Sequence, residues 1–289
     1  AVLAAVSAVT LAAMRPMSED PAPAEARGAD AARQFDFDAA VKAYRAAARS
    51  TAEQSGANSV RHARALVNLA AALRAAGERA EAEQVIQQAI AIFQVVAPFD
   101  PAYAEALYRS GITLQTAQDT AGARAAYEHG LDVVRVAGNR GLEARMRQVL
   151  GRMLVGQGPA ATVEGKLMLE EASALGGPVP ASMDPAAVPV SPGTRRMTDG
   201  LDRAPRLKHK VEPAYSDEAR ALKWQGLVVL YVEINTAGKP ENIRVLRPLG
   251  LGLDEEAVRS VRQWEFEPGS FKGQRARVAA TIEVNFRLL

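Results

Sequence analysis

The chain has 289 residues, 48% of them hydrophobic, 24% charged and 5% aromatic, with 35 basic against 33 acidic side chains for a net charge of +2. This composition suits a globular protein of about two compact domains, and the balanced charge excludes a nucleic-acid binder of the usual basic kind. Without cysteine there are no disulfides, thiolate metal sites or cysteine nucleophiles; His62, His129 and His209 are too scattered for a histidine-rich metal site, and no cofactor motif occurs.

Residues 1–14 carry no charge. They fall short of the roughly 20 residues that span a bilayer, so they read as a signal-peptide hydrophobic region or a truncated membrane anchor, with Ala22-Pro23-Ala24 as a small-residue cleavage site. Residues 15–30 read as a Pro/Ala-rich linker. Alanine then divides the chain: 46 lie in residues 1–175 and only 8 in the last 84. Alanine loses no side-chain entropy in a helix and lets helices approach closely, so the first part is expected to be helical.

Within residues 31–175 the sequence repeats itself. Ala40, Ala82 and Ala123 are each followed four residues later by Tyr44, Ile86 or Tyr127, and three further on by Ala47, Ala89 or Gly130. Ahead of the second and third copies stand Leu66, Leu69, Ala70, Leu73 with Gly77, and Leu107, Ser110, Gly111, Leu114 with Gln118 where the glycine would be. A weaker fourth copy offers Leu150, Gly151, Leu154 and Gly158, then a poorer helix over 163–172. Small residues allow paired helices to cross closely, and large ones fill the gaps between pairs. These residues resemble the longer tetratricopeptide repeat of kinesin light chains; an alanine-rich helical bundle is the alternative. The resemblance implies a protein-binding scaffold, and its concave-groove positions fall here on Arg64, Asn68, Arg74, Tyr108, Gln115 and Arg152. His62 and His129 fall on these helices as surface or partly packed side chains.

Residues 176–205 contain six prolines and no hydrophobic periodicity, the pattern of an extended proline-rich linker. The remaining 206–289 read as helix, strand, strand, helix, strand. Ser216 is placed to cap a short helix with Asp217 and Glu218 in its first turn, ended by Gly226. Val228, Leu230, Val232 and Ile234 then alternate with Val229, Tyr231 and Glu233, and Asn235-Thr236-Ala237-Gly238 supplies a hairpin turn into a strand through Ile243 and Val245. A helix from Asp254 carries Ala257, Val258, Val261 and Trp264 on one face. After a turn at Lys272-Gly273, the last strand places Val278, Ala280, Ile282, Val284 and Phe286 on one side. One-sided alternation suits a three-stranded antiparallel sheet with two helices on one face.

Pro213-x-Tyr215, Ala219-Arg220, Gly226-x-Val228, the Gly238 turn, Leu253-Asp254 before Ala257, Trp264-x-Phe266-x-Pro268, Gly273 and Val284-x-Phe286-x-Leu288 resemble the C-terminal domain of TonB proteins across 206–289. Ser216 departs from the proline common after the tyrosine. Most of these positions are structural, Trp264 and Phe266 as core fillers. The fold expected is therefore an α-helical tetratricopeptide-repeat solenoid, a proline-rich linker and an α+β TonB-like domain. The resemblance implies a non-catalytic periplasmic protein that takes the TonB box of an outer-membrane transporter beside its last strand, Arg277, Val278, Ala279, Ala280, Thr281, Ile282, Glu283, Val284 and Asn285. An edge strand offers unpaired N–H and C=O groups to such a partner, unless a helix, a charge such as Glu283 or self-pairing blocks it.

A full energy transducer, anchored in the inner membrane and coupled to ExbB and ExbD, is the second reading. The anchor's usual Ser-His pair is absent, since Ser7 precedes Ala8 and no histidine precedes His62. A structural repeat scaffold of the cell envelope is the third. No GxSxG, phosphate loop or metal-ligand spacing speaks for an enzyme.

Overall fold

A computed structural model describes residues 20–175 and 184–288. The first part is eight helices: α1 Pro21–Arg33, α2 Phe37–Ser55, α3 Val60–Ala76, α4 Arg79–Val96, α5 Pro101–Thr116, α6 Thr120–Ala137, α7 Arg140–Leu154 and α8 Pro159–Ala174. They pack as four consecutive hairpins, and each hairpin leans on the next. Asp20, Asp36, Ser59, Asp100, Asp119 and Asn139 cap helix starts by accepting a backbone N–H, and Pro21, Pro101 and Pro159 open helices where no N–H is needed. Gly77 ends α3 in the left-handed region at φ 92°, and Gln118 adopts the same region at φ 64° in the next copy, so the glutamine occupies the glycine's position in the repeat.

Two sequence expectations change at the start. The stretch read as a Pro/Ala-rich linker over 15–30 holds α1 from Pro21, and Ala22-Pro23-Ala24 forms its first turn. The helix completes the first hairpin: a β-carbon on Gly28 would stand 2.8 Å from the Tyr44 ring. Residues 1–14, with their leader or anchor reading, lie outside the described residues; among those described, no helix is long and apolar enough to cross a membrane.

Small and large positions are matched from copy to copy. Gly28 faces Tyr44, and a β-carbon on Gly111 would overlap the Tyr127 ring. The second copy has Ala70 and Ile86 at the same places, both buried. Gly111→Ala is therefore expected to cost about 1–3 kcal/mol by overpacking. Adding Tyr127→Ile should recover most of that loss in urea unfolding; equal stability of the single and double variants would refute the match.

The C-terminal module contains β1 Arg195–Arg196, β2 Arg206–His209, α9 Asp217–Ala221, β3 Gly226–Ile234, β4 Pro240–Arg247, α10 Leu253–Val261, β5 Glu265–Glu267, β6 Gly269–Phe271, β7 Gln274–Ala276 and β8 Val278–Phe286. β8 and β4 flank β3 antiparallel, while β2 with β5 and β6 with β7 form small ribbons. Val228, Leu230, Val232 and Ile234 are buried with Ala257, Val258 and Val261 of α10. Trp264 Nε1 donates to the Val211 carbonyl at 2.8 Å, and Trp224 Nε1 to that of Leu249 at 3.0 Å, so both indoles bury their rings without orphaning the N–H. Ser216 caps α9, which stops at Ala221, before the expected Gly226; Gly226 opens β3 instead.

The main sheet has four strands rather than three, in the order β1-β8-β3-β4, and β1 comes from the proline-rich stretch. Residues 184–205 thus pack on the module. Val188 is buried in a cluster with Tyr231, Leu246 and Ala279, joined by Val190 and Val229, on the sheet face away from α10. The face opposite helix α10 is covered because a short apolar strap seats on Tyr231 there.

Candidate functional site

Along β8 every residue pairs with β3, from Val278 opposite Ile234 to Phe286 opposite Gly226. On its other side β1 pairs in parallel with Val278 and Ala279 alone. The Arg195 N–H donates to the Arg277 carbonyl at 2.9 Å. Because backbone groups alternate sides along a strand, odd-numbered residues turn their N–H and C=O outward and even-numbered ones turn theirs to β3. Beyond Ala279 the outward groups of Thr281, Glu283 and Asn285 have no strand beside them among the described residues, and these three side chains are exposed.

The nine residues expected at the partner edge therefore divide into four groups. Arg277 ties the strand start to Glu241 at 2.9 Å and gives its carbonyl to β1. Val278 and Ala279 lie beside β1, which covers the outward groups at this end of the strand, the Arg277 carbonyl and the Ala279 backbone. Ala280, Ile282 and Val284 direct their backbones to β3. Thr281, Glu283 and Asn285 form the open rungs. Strand β1 ends because Asp199 N–H donates to the Arg196 carbonyl at 3.0 Å, a turn that lifts the chain off the edge, and the Asp199 carboxylate accepts from the Arg196 N–H at 2.8 Å.

The strap is fastened at Glu233, which is 1% exposed. Its carboxylate accepts from Ser191 N–H at 2.9 Å, Thr194 Oγ1 at 3.0 Å, Tyr231 Oη at 2.9 Å and Asn242 Nδ2 at 3.1 Å. Burial by itself pushes this carboxyl up; the hydrogen bonds from Ser191, Asn242 and Tyr231 outweigh it and hold the group below the usual carboxylate range. Burial, with Glu233 alongside, pushes the Tyr231 hydroxyl up to about 12.

The repeat-groove residues separate as well. Arg64 pairs with Asp100 at 2.6 Å, and Arg64 and Asn68 border a shallow depression with Glu25 and Arg61. Gln115 accepts from Tyr127 Oη at 3.2 Å within its own hairpin. Arg74, Tyr108 and Arg152 meet the C-terminal module: Arg74 pairs with Glu218 at 2.7 Å, and the Arg152 guanidinium lies 4.1 Å from the Trp224 ring centre. Tyr108 lines a cavity of about 650 Å³ between the repeats and the loop ahead of α10. Burial pushes its hydroxyl up to about 12. Arg79 also pairs with Asp217, and Arg262 of the module donates to the Gln34 and Phe35 carbonyls at 2.7 and 3.0 Å.

Sequence reading missed Glu218, Asp217, Trp224 and Arg262 as interdomain contacts, and Glu233, Ser191 and Thr194 as the strap anchor. Asp217 and Glu218 already suit a helix N-terminus, so nothing local marks their second role. His62 Nδ1 lies 3.0 Å from the Ala48 carbonyl and His129 packs edge-on to Tyr103. Among the described residues no group of three or more His, Cys, Asp or Glu is arranged to hold a metal.

Residues 211–288 match the family model described as Gram-negative bacterial TonB protein C-terminal, and residues 20–94 match that of the tetratricopeptide repeat. The chain carries both modules. Protein tonB2 of Pseudomonas aeruginosa is 32% identical over 82 residues, covering 28% of this chain and 30% of that protein. Protein TonB of Salmonella typhimurium is 28% identical over 99 residues, covering 32% of this chain and 41% of that protein. The chain thus spans less than half the length of these curated relatives. Among solved structures, BtubC from P. vanneervenii aligns at a TM-score of 0.47 and 17% identity, covering 54% of this chain and 62% of that one. A putative kinesin light chain with nearly identical TPR-like repeats, from Podosopora anserina, aligns at 0.46 and 16%, covering 54% and 76%.

Proposed function

We propose that this chain is a non-catalytic TonB-family protein of the periplasm that binds an extended segment of a partner by strand addition to β8, the partner being the TonB box of an outer-membrane transporter. The repeats act as a second protein-binding scaffold. The observation that carries this is the run of open backbone groups at Thr281, Glu283 and Asn285, on a strand whose other side is fully paired. Each new backbone bond is worth about 1 kcal/mol net. Up to about six of them, less the cost of ordering the segment, suit a complex in the micromolar to millimolar range. Strand addition also fits the balanced charge, since backbone pairing needs no electrostatic capture.

Titration of the full chain with TonB-box peptides, followed by amide shifts or calorimetry, tests this directly. The amides of Thr281, Glu283 and Asn285 are expected to respond first. Absence of binding at millimolar peptide would remove the transporter partner.

A further inference from the structure

We propose that residues 188–196 are an internal mimic of the partner, holding the first rungs of the β8 edge, and that a partner with the same features displaces them and pairs along Arg277–Asn285. The inference rests on the strand-addition reading above and deepens it by naming what the edge recognises and what guards it.

The strap combines three contacts in a short length of chain. A branched apolar residue, Val188, is buried against Tyr231, Leu246 and Ala279. A backbone N–H from Ser191 and a hydroxyl from Thr194 then satisfy Glu233, a carboxylate that lies under the strap near the end of β3. Two extended residues, Arg195 and Arg196, finally take up strand pairing with Val278 and Ala279. An extended segment bearing a Val-sized side chain, a hydroxyl residue and free backbone groups would meet the same surface.

Two features make the strap exchangeable. Its ladder is two residues long and ends at the Arg196–Asp199 turn, whereas β3 holds β8 along nine residues. Its departure also leaves no buried orphan, because Tyr231 and Asn242 still donate to Glu233 and water replaces the strap donors. The open edge then grows from five residues, 281–285, to nine, 277–285.

The chain has no cysteine, so Arg196→Cys with Ala279→Cys, residues opposite one another in register, gives a single disulfide that locks the strap in the full chain. The probes are a five-residue and a nine-residue peptide covering the TonB box of an outer-membrane transporter. The oxidised form is expected to bind the nine-residue peptide about tenfold more weakly than the reduced form, while the five-residue peptide binds both alike. Val188→Asp, which expels the strap from its apolar seat, is expected to bind the nine-residue peptide about tenfold more tightly than wild type. Equal affinities for locked, reduced and Val188→Asp chains would overturn the mimic and leave the strap a fixed part of the sheet, with strand addition intact. Failure of every form to bind either peptide would overturn strand addition itself, and the mimic with it.

Discussion

Glu283→Pro in the full chain is expected to weaken binding of an extended partner at least tenfold while leaving the unfolding transition close to wild type. The Glu283 N–H points away from β3, so proline removes a donor that no strand of the chain uses and places its ring where the incoming strand must lie. Ile282→Pro is the control that gives the result its meaning. Its N–H turns toward Leu230 on β3, and losing that ladder bond in the centre of the sheet is expected to cost about 3 kcal/mol or more. One residue thus separates a loss of binding from a loss of fold. Should Glu283→Pro bind a TonB-box peptide with wild-type affinity, the open side of β8 is not where the partner pairs.

The second large effect is expected where the two modules meet. Glu218 is 5% exposed and accepts from Arg74, which also donates to Thr113 Oγ1 at 3.1 Å. Glu218→Ala strands the Arg74 guanidinium, which burial and its arginine neighbours already pull below its usual pKa. A loss of about 2–3 kcal/mol is expected, toward the low end for a broken buried pair because Arg74 keeps some contact with water. Arg74→Met together with Glu218→Leu should recover most of it, since neither change leaves a charge unpaired. Urea unfolding of wild type, Arg74→Met, Glu218→Leu and the double variant measures the coupling. Additive single effects would mean that the pair does not hold the modules together.

Much of the fold was legible in the sequence, because helices and half-buried strands are written in local periods. The repeat spacing places Tyr44, Ile86 and Tyr127 against small residues, and the alternation from Val228 to Ile234 puts the right four side chains in the core. Helix α1 was hidden by composition: its Pro-Ala opening looks like linker, and nothing local pairs Gly28 with the Tyr44 ring that lies against it. The strap was hidden for a similar reason. Val188 and Val190 flank a proline and show no period, and their seat on Tyr231 lies some forty residues away.

The candidate site was legible only as far as its strand. The residues from Arg277 to Asn285 show alternation, which identifies β8 and the side chains it buries. Which rungs stay open depends on whether another strand arrives at that edge, and backbone N–H and C=O groups are the same in every residue type. Likewise, Asp217 and Glu218 satisfy their own helix wherever it sits, so their ion pairs with Arg79 and Arg74 leave no mark in the chain. The sequence by itself determined the repeats, the sheet module and their inward faces, since hydrophobic burial acts on side chains in order. Only the tertiary structure decided that the strap closes Val278 and Ala279, leaves Thr281, Glu283 and Asn285 open, and seats the module on Arg74. Those outcomes come from backbone pairing and charge contacts between residues far apart in sequence.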